Sequence, residues 1–234
     1  MSAVGEASRA HDLVVVDLGL GNLRSVERAV LAASEGLGVH PQISTDPDEV
    51  ARARRLIVPG QGAFRDGAAA LAKDGGAMAQ AIAGQIERGT PYLGICLGLQ
   101  LLLDESDEAP GARGLGEIAG RVVRIENPTL TEHGATRRLK VPHMGWNQPC
   151  CLSGAAGDAL RVLLEGAGEA PWFYFVHSYH ATPSDPALVA ATASYGCLEI
   201  TAAIVRDNVV ATQFHPEKSQ KAGLALIRHW LARK

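Results

Sequence analysis

The sequence predicts an α/β fold built around a mostly parallel sheet with helices on both of its faces. Short runs of β-branched residues in the first half are apolar at every position, as expected of strands that are covered on both sides. Stretches with helical periodicity lie between these runs, an alternation that produces βαβ units with right-handed crossovers. The chain has 234 residues and is 47% hydrophobic, so it can bury a substantial core without disulfides or metals.

The elements predicted in the first half follow from these two patterns. The helix at 78 to 88 is the clearest, because Met78, Ile82 and Ile86 recur every four residues and share one face. Strands are predicted at 13 to 16, 39 to 44, 56 to 58 and 92 to 95, and helices at 23 to 31, 63 to 73 and 78 to 88.

The second half predicts additional antiparallel strands with few helices between them. Asp207 and Asn208 separate two apolar runs, as in a tight hairpin turn. Strands are predicted at 121 to 125, 172 to 176, 189 to 193, 200 to 205 and 209 to 213, and an amphipathic helix at 219 to 232. No repeat or linker interrupts the sequence, so we expect residues 11 to 234 to form a single domain.

Composition and charge exclude several classes of protein. The 22 Lys and Arg residues against 25 Asp and Glu give a net charge of −3, without the basic stripe that a nucleic-acid partner requires. The longest apolar stretch, 89 to 103, is too short to span a membrane and is broken by Pro91 and Gln100, so we expect no membrane association. Residues 1 to 10 lack the apolar core of a signal peptide and are predicted to be a flexible tail.

The four cysteines are spaced neither as disulfide pairs nor as metal ligands, which favours reduced thiols and a cytoplasmic location. Cys150, Cys151 and Cys197 are interpreted as packing or surface residues.

Cys96 lies in the sharpest local signal, the segment Gly-Ile-Cys-Leu-Gly at 94 to 98, between a buried strand and a helical run at 99 to 103. This is the pattern of a nucleophile elbow, whose strained turn projects the central side chain above the sheet. A helix that begins after Cys96 favours the thiolate, and the N–H of Leu97 can stabilise an oxyanion. The alternative is simple packing at a strand-to-helix turn.

A nucleophilic thiolate needs a proton shuttle, and His215 is the best-placed candidate, in the segment Gln-Phe-His-Pro-Glu at 213 to 217. Pro216 restricts the backbone on both sides, so that Glu217 can turn back and orient the imidazole. Cys96, His215 and Glu217 would then form a catalytic triad, which is recognised by roles and not by sequence spacing. The alternative for this segment is a capped helix start.

The segments 94 to 100 and 214 to 217 together resemble the class I glutamine amidotransferases. The resemblance implies a flavodoxin-like open, mostly parallel sheet that carries a Cys-His-Glu triad. It also implies hydrolysis of L-glutamine to glutamate and ammonia, without a cofactor.

Four further segments, 17 to 26, 59 to 64, 142 to 147 and 175 to 179, narrow the resemblance to the glutaminase subunits of imidazole glycerol phosphate synthases. This resemblance runs from about His11 to the C-terminus. It implies a heterodimer in which ammonia passes to a (β/α)₈-barrel cyclase subunit. There it would yield imidazole glycerol phosphate and aminoimidazole carboxamide ribonucleotide, in histidine biosynthesis.

The same resemblance implies roles for individual residues. The oxyanion hole would combine the N–H of Leu97 with the loop that contains Gly60 and Gly62, where position 61, commonly valine in that family, is glutamine. The expected contacts to glutamine are Gln100, Glu108, Ser178 and Tyr179. The expected contacts to the cyclase are Asn22, Trp146, Tyr174 and Lys218.

Other interpretations of the motifs remain open at this point. The triad would suit another class I amidotransferase subunit or a free γ-glutamyl hydrolase equally well, and the block at 142 to 147 is what favours the synthase. A non-enzymatic scaffold is disfavoured because all three triad residues are present. His177 and His180 could suggest a metal, but residues three apart on a strand face opposite ways, so no metal site is expected.

Overall fold

The structure is a computed structural model that describes residues 11 to 233, and the tail predicted for 1 to 10 lies outside them. The first half contains β1 (Leu13–Val16), α1 (Leu23–Ala33), β2 (Pro41–Ser44), α2 (Pro47–Val50), β3 (Leu56–Gly60), α3 (Phe64–Glu87), β4 (Tyr92–Cys96), α4 (Leu97–Gln100), β5 (Leu103–Ser106) and β6 (Ile118–Arg124). The second half contains β7 (Thr129–Glu132), β8 (Ala135–Arg138), β9 (His143–Asn147), β10 (Cys150–Cys151), α5 (Ala155–Leu163), β11 (Phe173–His177), β12 (Tyr179–Pro183), β13 (Val189–Tyr195), β14 (Leu198–Arg206), β15 (Val209–Thr212) and α6 (Gln220–Ala232).

The central sheet has eight strands in the order β10-β13-β14-β15-β4-β3-β1-β2. The strands from β15 to β2 are parallel, and their order is that of a flavodoxin-like doubly wound sheet. The strands β14, β13 and β10 extend it in antiparallel fashion. The predicted fold class, a mostly parallel sheet with antiparallel strands from the second half, is therefore confirmed.

Two hydrophobic cores lie on opposite faces of this sheet, which explains why its strands are apolar at every position. In β1, Leu13 and Val15 pack into the core that includes α1 and α6, whereas Val14 and Val16 pack into the core that includes α3. All four side chains are completely buried.

The helices predicted at 63 to 73 and 78 to 88 form the two halves of α3. The backbone leaves the helical region at residues 73 to 76, where Asp74, Gly75 and Gly76 all have positive φ. Two consecutive glycines with this backbone account for the break between the halves.

Some elements differ from those predicted. The prediction of a helical run at 99 to 103 is wrong, because α4 is a single turn and β5 begins at Leu103. The carbonyls of Leu101 and Leu102 accept hydrogen bonds from Leu115 and Ile118, so they are not used to extend the helix. Helix α5 and several short strands of the second half were not predicted. The turn at Asp207 and Asn208 does join β14 to β15, as expected.

Two smaller sheets lie outside the central sheet and contain β9, β11 and the strands β5, β6 and β12. Strand β9 pairs antiparallel with β11, and β6 lies between β5 and β12. An isolated bridge joins Tyr174 of β11 to His215, just beyond the end of β15. Among the described residues, no helix is long and apolar enough to cross a membrane.

Candidate active site

Cys96 occupies a sharp turn between the central strand β4 and the single turn α4. Its backbone has φ 54° and ψ −101°, an unfavourable conformation for a residue with a side chain, and its side chain is largely buried with 7% exposure. The turn depends on Gly98, because a Cβ atom there would lie 1.7 Å from the carbonyl oxygen of Val58. The predicted elbow is therefore present, with α4 packed tightly onto β3.

Tyr92 of β4 stabilises this turn through a hydrogen bond to α4. Its hydroxyl donates a hydrogen bond of 2.8 Å to the carbonyl oxygen of Gly98, and its ring is completely buried. Burial, reinforced by the charge of Glu117, raises the pKa of Tyr92 well above its usual value, so that the hydroxyl remains a donor. Nothing in the sequence distinguishes Tyr92 from an ordinary aromatic residue of a buried strand.

His215 reaches the elbow because β15 lies directly beside β4. Thr212 is in register with Ile95, so the residues that follow the two strands emerge at the same edge of the sheet. The backbone N–H of His215 donates to the carbonyl of Tyr174 at 2.9 Å, and the hydroxyl of Ser219 donates to the carbonyl of His215 at 2.6 Å. The histidine backbone is therefore fixed on both sides.

Glu217 holds the imidazole of His215 through a hydrogen bond of 2.8 Å from Nδ1 to Oε1. Burial lowers the pKa of His215, but the neighbouring Cys96 thiol and the Glu217 carboxylate raise it more, to about 9. Nε2 of His215 is buried and has no hydrogen-bond partner of standard geometry among the described residues, although the Cys96 side chain is near enough to raise the pKa of the ring. The structure thus brings together the three residues that the sequence singled out.

The loop at 60 to 62 borders the elbow, the position that the resemblance implied for it. Gly60 is in register with Cys96 on the neighbouring strand, and a Cβ at Gly60 would lie 2.8 Å from Cβ of Leu97. Gly62 has φ +144°, a conformation that side chains rarely adopt. The loop and the start of α4 therefore approach each other closely beside the thiol.

A cavity of about 260 Å³ opens over the thiol. It is lined by Gln61, Gly62, Cys96, Gln100, Glu108, Pro142, Val176, His177, Ser178 and Tyr179. All four residues that the resemblance implied as substrate contacts are therefore at this cavity.

Two of these four residues also hold neighbouring elements in place. Nε2 of Gln100 donates to the carbonyl of Tyr179 at 3.1 Å. The Glu108 carboxylate accepts a hydrogen bond of 2.7 Å from the backbone N–H of Phe64, at the start of α3. Glu108 is thus more than part of an exposed acidic run, because it caps the helix that follows the loop at 60 to 62.

Gln213 belongs to the site, and the sequence interpretation gave it no role. It is completely buried, its Nε2 donates to Sγ of Cys96 at 3.5 Å, and its Oε1 accepts from Gln100 at 3.2 Å. The sequence signal for such a role was a polar residue directly after an apolar strand and two residues before His215. Only the pairing of β15 with β4 shows that Gln213 contacts Cys96.

Three of the four residues implied at the partner interface form one surface, which we call the aromatic patch: Trp146, Tyr174 and Lys218. The rings of Trp146 and Tyr174 lie edge to face with centroids 6.0 Å apart, and Nζ of Lys218 lies 5.9 Å from the centre of the Tyr174 ring. Trp146 is 45% exposed. Because Tyr174 also binds the backbone of His215, the patch lies next to the site.

Asn22, the fourth of these residues, lies outside the aromatic patch and caps α1. Its side chain accepts a hydrogen bond from the backbone N–H of Ser25. The preceding Gly21 approaches the loop at 60 to 62, where a Cβ would lie 3.0 Å from the backbone nitrogen of Gln61.

His177 and His180 lie on two strands and not on one, since β11 ends at His177 and β12 begins at Tyr179. Within residues 11 to 233, no group of three or more His, Cys, Asp or Glu side chains is placed to hold a metal.

A buried thiol on a strained turn, beside an imidazole held by a carboxylate, defines a site for cysteine-dependent acyl transfer. Comparison with known proteins agrees with this class. The family model of glutamine amidotransferase class-I matches residues 14–233.

Two curated relatives resemble nearly the whole chain. Imidazole glycerol phosphate synthase subunit HisH of Syntrophotalea carbinolica is 45% identical over 218 residues, which cover 93% of this chain and 98% of that protein. The protein of the same name from Methanothermobacter thermautotrophicus is 45% identical over 219 residues, covering 94% of this chain and 97% of that protein. The chain therefore belongs to the class I glutamine amidotransferases and, within them, to the HisH family.

Solved structures share the fold. The crystal structure of a glutamine amidotransferase superimposes with a TM-score of 0.66 at 19% identity, covering 94% of this chain and 97% of the other. The glutaminase domain of Trypanosoma brucei CTPS superimposes with a TM-score of 0.60 at 16% identity, covering 95% of this chain and 94% of the other. These likenesses concern the fold alone, and they agree with the predicted class I amidotransferase fold.

Proposed function

We propose that this chain is the glutaminase subunit of an imidazole glycerol phosphate synthase. It would hydrolyse L-glutamine and supply the ammonia to a cyclase subunit. The observation that supports this most strongly is that Cys96 lies beside the His215 and Glu217 pair at a cavity, in a chain 45% identical to HisH subunits over nearly its whole length.

In the first half of the reaction, the Cys96 thiolate attacks the side-chain carbonyl carbon of glutamine. The C–N bond then breaks, and His215 donates its proton to the departing nitrogen, which leaves as ammonia. In the second half, neutral His215 takes a proton from water, the hydroxide attacks the γ-glutamyl thioester, and glutamate is released with the thiolate restored. Glu217 keeps the proton on Nδ1 and stabilises the charged ring.

The oxyanion of each tetrahedral intermediate would be stabilised by the N–H of Leu97 and by a peptide N–H of the loop that contains Gly60 and Gly62. One such donor typically contributes about 10² to 10³ in rate. We assign the charged end of glutamine to Gln100, Glu108 and the backbone at Ser178 and Tyr179. Their place around one cavity with Cys96 supports this assignment.

The proposed partner is a (β/α)₈-barrel cyclase subunit, bound as a heterodimer over the aromatic patch and Asn22. Ammonia that reached bulk water would be protonated and lost as a nucleophile, so the contact has to seal the mouth of the site. The exposed ring of Trp146, packed against the partly buried ring of Tyr174 beside the site, suits such a contact. We also assign the chain to the cytoplasm, and its four free cysteines are consistent with a reducing compartment.

The test is to mix the purified chain with the candidate cyclase, and to measure glutamate release and imidazole glycerol phosphate formation. We expect glutamate release to rise strongly when the partner is added. Cys96→Ser should abolish synthesis from glutamine, while ammonium salts still support synthesis through the cyclase subunit.

Two results would contradict the proposal. Loss of both the glutamine-dependent and the ammonium-dependent reaction in Cys96→Ser would contradict the division of labour between the subunits. Full glutaminase activity of the isolated chain, without any effect of the partner, would favour a free γ-glutamyl hydrolase.

A further inference from the structure

Two buried histidines form a second polar cluster behind the glutamine cavity. His143 of β9 and His177 of β11 are directly opposite in the strand register, and Nδ1 of His143 lies 3.0 Å from Nε2 of His177. His177 lines the cavity, whereas His143 lies behind it and stacks on Phe175. The triad mechanism uses neither ring.

The partners of the two rings fix where their protons lie. Nδ1 of His177 lies 2.8 Å from the carbonyl oxygen of Tyr179, which can only accept, so Nδ1 carries the hydrogen and Nε2 is an acceptor. Nδ1 of His143 must then donate to His177, which leaves Nε2 of His143 to accept from the side-chain amide of Asn147 at 3.3 Å. One arrangement of protons satisfies all three contacts, and it requires both rings to be neutral.

The ring environment agrees with this arrangement. Burial lowers the pKa of His143 to about 4. Burial is also the main cause that lowers the pKa of His177 to about 3, with the nearby His143, His180 and His215 lowering it further and the contact with Tyr179 opposing them. Both histidines are therefore neutral at physiological pH.

The carbonyl of Tyr179 connects this pair to the cavity. It accepts from His177 and from Nε2 of Gln100, so both of its lone pairs are used. Nε2 of Gln100 also donates to Oε1 of Gln213, whose own Nε2 donates to the Cys96 sulfur. Both hydrogen bonds of the Gln100 side chain use its nitrogen. Oε1 of Gln100 makes no hydrogen bond to any described residue, so it remains available as an acceptor.

We propose that His143 and His177 are positioning residues, which act through the Tyr179 carbonyl to hold the Gln100 amide with its oxygen available to the α-ammonium group of glutamine. This inference rests on the proposed function and deepens it, because it specifies how one recognition group is oriented. The outward side chain of Trp146 on β9 belongs to the aromatic patch, while the inward side chains of His143 and Asn147 begin this hydrogen-bond chain. One strand therefore contributes to both surfaces.

The first test does not depend on enzymatic activity. Imidazole ¹⁵N NMR of the full chain at pH 7 should show both rings neutral and protonated at Nδ1, with assignments made from His143→Asn and His177→Asn. A hydrogen on Nε2 of His177, or a positive charge on either ring, would overturn the inference.

The second test separates binding from chemistry in the complex of the chain with the cyclase subunit. His143→Leu removes the donor to His177 without touching the cavity, so KM for glutamine should rise about tenfold while kcat changes less than twofold. His143→Asn keeps an N–H at the position of Nδ1 and should restore KM. The matched control is His180→Leu, which removes another partly buried imidazole near His177 and should leave KM unchanged.

The results distinguish the two proposals. A parental KM in folded His143→Leu, or an equal effect of His180→Leu, would overturn the positioning role. If His143→Leu does not fold, His143→Asn and His143→Gln answer the same question, since only Asn places its N–H near His177. Absence of glutaminase activity in the unmodified complex would refute the proposed function, while the NMR test of the proton arrangement would stand on its own.

Discussion

Glu217 accepts a hydrogen bond from Nδ1 of His215 at 2.8 Å, and the two side chains are only 2% and 1% exposed. A carboxylate so completely removed from water is stabilised by a positively charged neighbour. The raised pKa of His215, about 9, means that the ring is protonated at neutral pH and can serve as the acid that releases ammonia.

The rate of glutamine hydrolysis should therefore fall as pH rises through about 9, where His215 loses its proton. Cys96 and Glu217 both raise this pKa, and Glu217→Gln removes the contribution of the carboxylate, so in this variant the decline in rate should move to lower pH. The measurement is kcat/KM for glutamate release by the complex between pH 6 and 10. An alkaline decline at the same pH in both proteins would show that another group controls it.

The buried pair His143 and His177 should make the fold sensitive to acid. Their folded pKa values, about 4 and about 3, lie below the unfolded value near 6.5, so the stability they contribute is complete above pH 6.5 and is lost as pH falls toward 4. Between these pKa values, each of the two histidines should lower the free energy of unfolding by about 1.4 kcal/mol for every unit by which the pH falls. The measurement is urea unfolding at pH 4.5 to 7.

The variant His143→Asn isolates this contribution from that of the carboxylates, because it removes one titrating ring and keeps a hydrogen-bond donor. Its free energy of unfolding should decline less steeply below pH 6.5 than that of the parent. His215 acts in the opposite sense, since its contribution is complete below about pH 6.5 and is lost as pH rises through 9. Equal acid slopes in the variant and the parent would show that His143 is protonated in the folded state.

The sequence was sufficient to predict the elbow and the proximity of Cys96, His215 and Glu217, because both depend on local backbone conformation and on parallel strand pairing. The glycines around Cys96 and the proline after His215 constrain the chain wherever they occur, and the parallel strands β4 and β15 bring their ends together. The parallel sheet was predictable for the same reason, since strands buried on both faces have no polar positions.

The roles of Tyr92, Gln213 and Glu108 were not predictable from local pattern. Gln213 contacts Cys96 across 117 positions, and Glu108 caps α3 from 44 positions away. Such contacts depend on tertiary packing, which a periodicity does not encode. The short α4 has the same origin, because tertiary donors bind the carbonyls that a longer helix would use.

Gly98→Ala tests how tightly the elbow is packed. The added methyl group would lie 1.7 Å from the Val58 carbonyl oxygen, so α4 must move away from β3, at a cost of about 3 kcal/mol or more. The control is Gly84→Ala inside α3, where the nearest atom is the flexible end of Arg88 at 3.3 Å and the helix should gain about 0.5 to 1 kcal/mol. Urea midpoints of both variants provide the measurement, and equal midpoints would contradict the packing argument.

Trp146 should anchor the proposed cyclase subunit, because it is large, 45% exposed and held edge-on against Tyr174 beside the site. Aromatic anchors of this kind carry much of the binding energy of an interface, so Trp146→Ala should weaken binding at least tenfold, or about 1.4 kcal/mol. The fold should be unaffected, since the ring is not part of either core.

The control for this prediction is Val162→Ala on α5, which also removes exposed apolar surface, from a side chain 57% exposed and outside the aromatic patch. Titration calorimetry with the cyclase subunit should give a parental Kd for Val162→Ala and a raised Kd for Trp146→Ala. Because the patch borders His215, bound Trp146→Ala should also release glutamate more slowly at saturating partner. A parental Kd and rate in Trp146→Ala would place the partner on a different face of the protein.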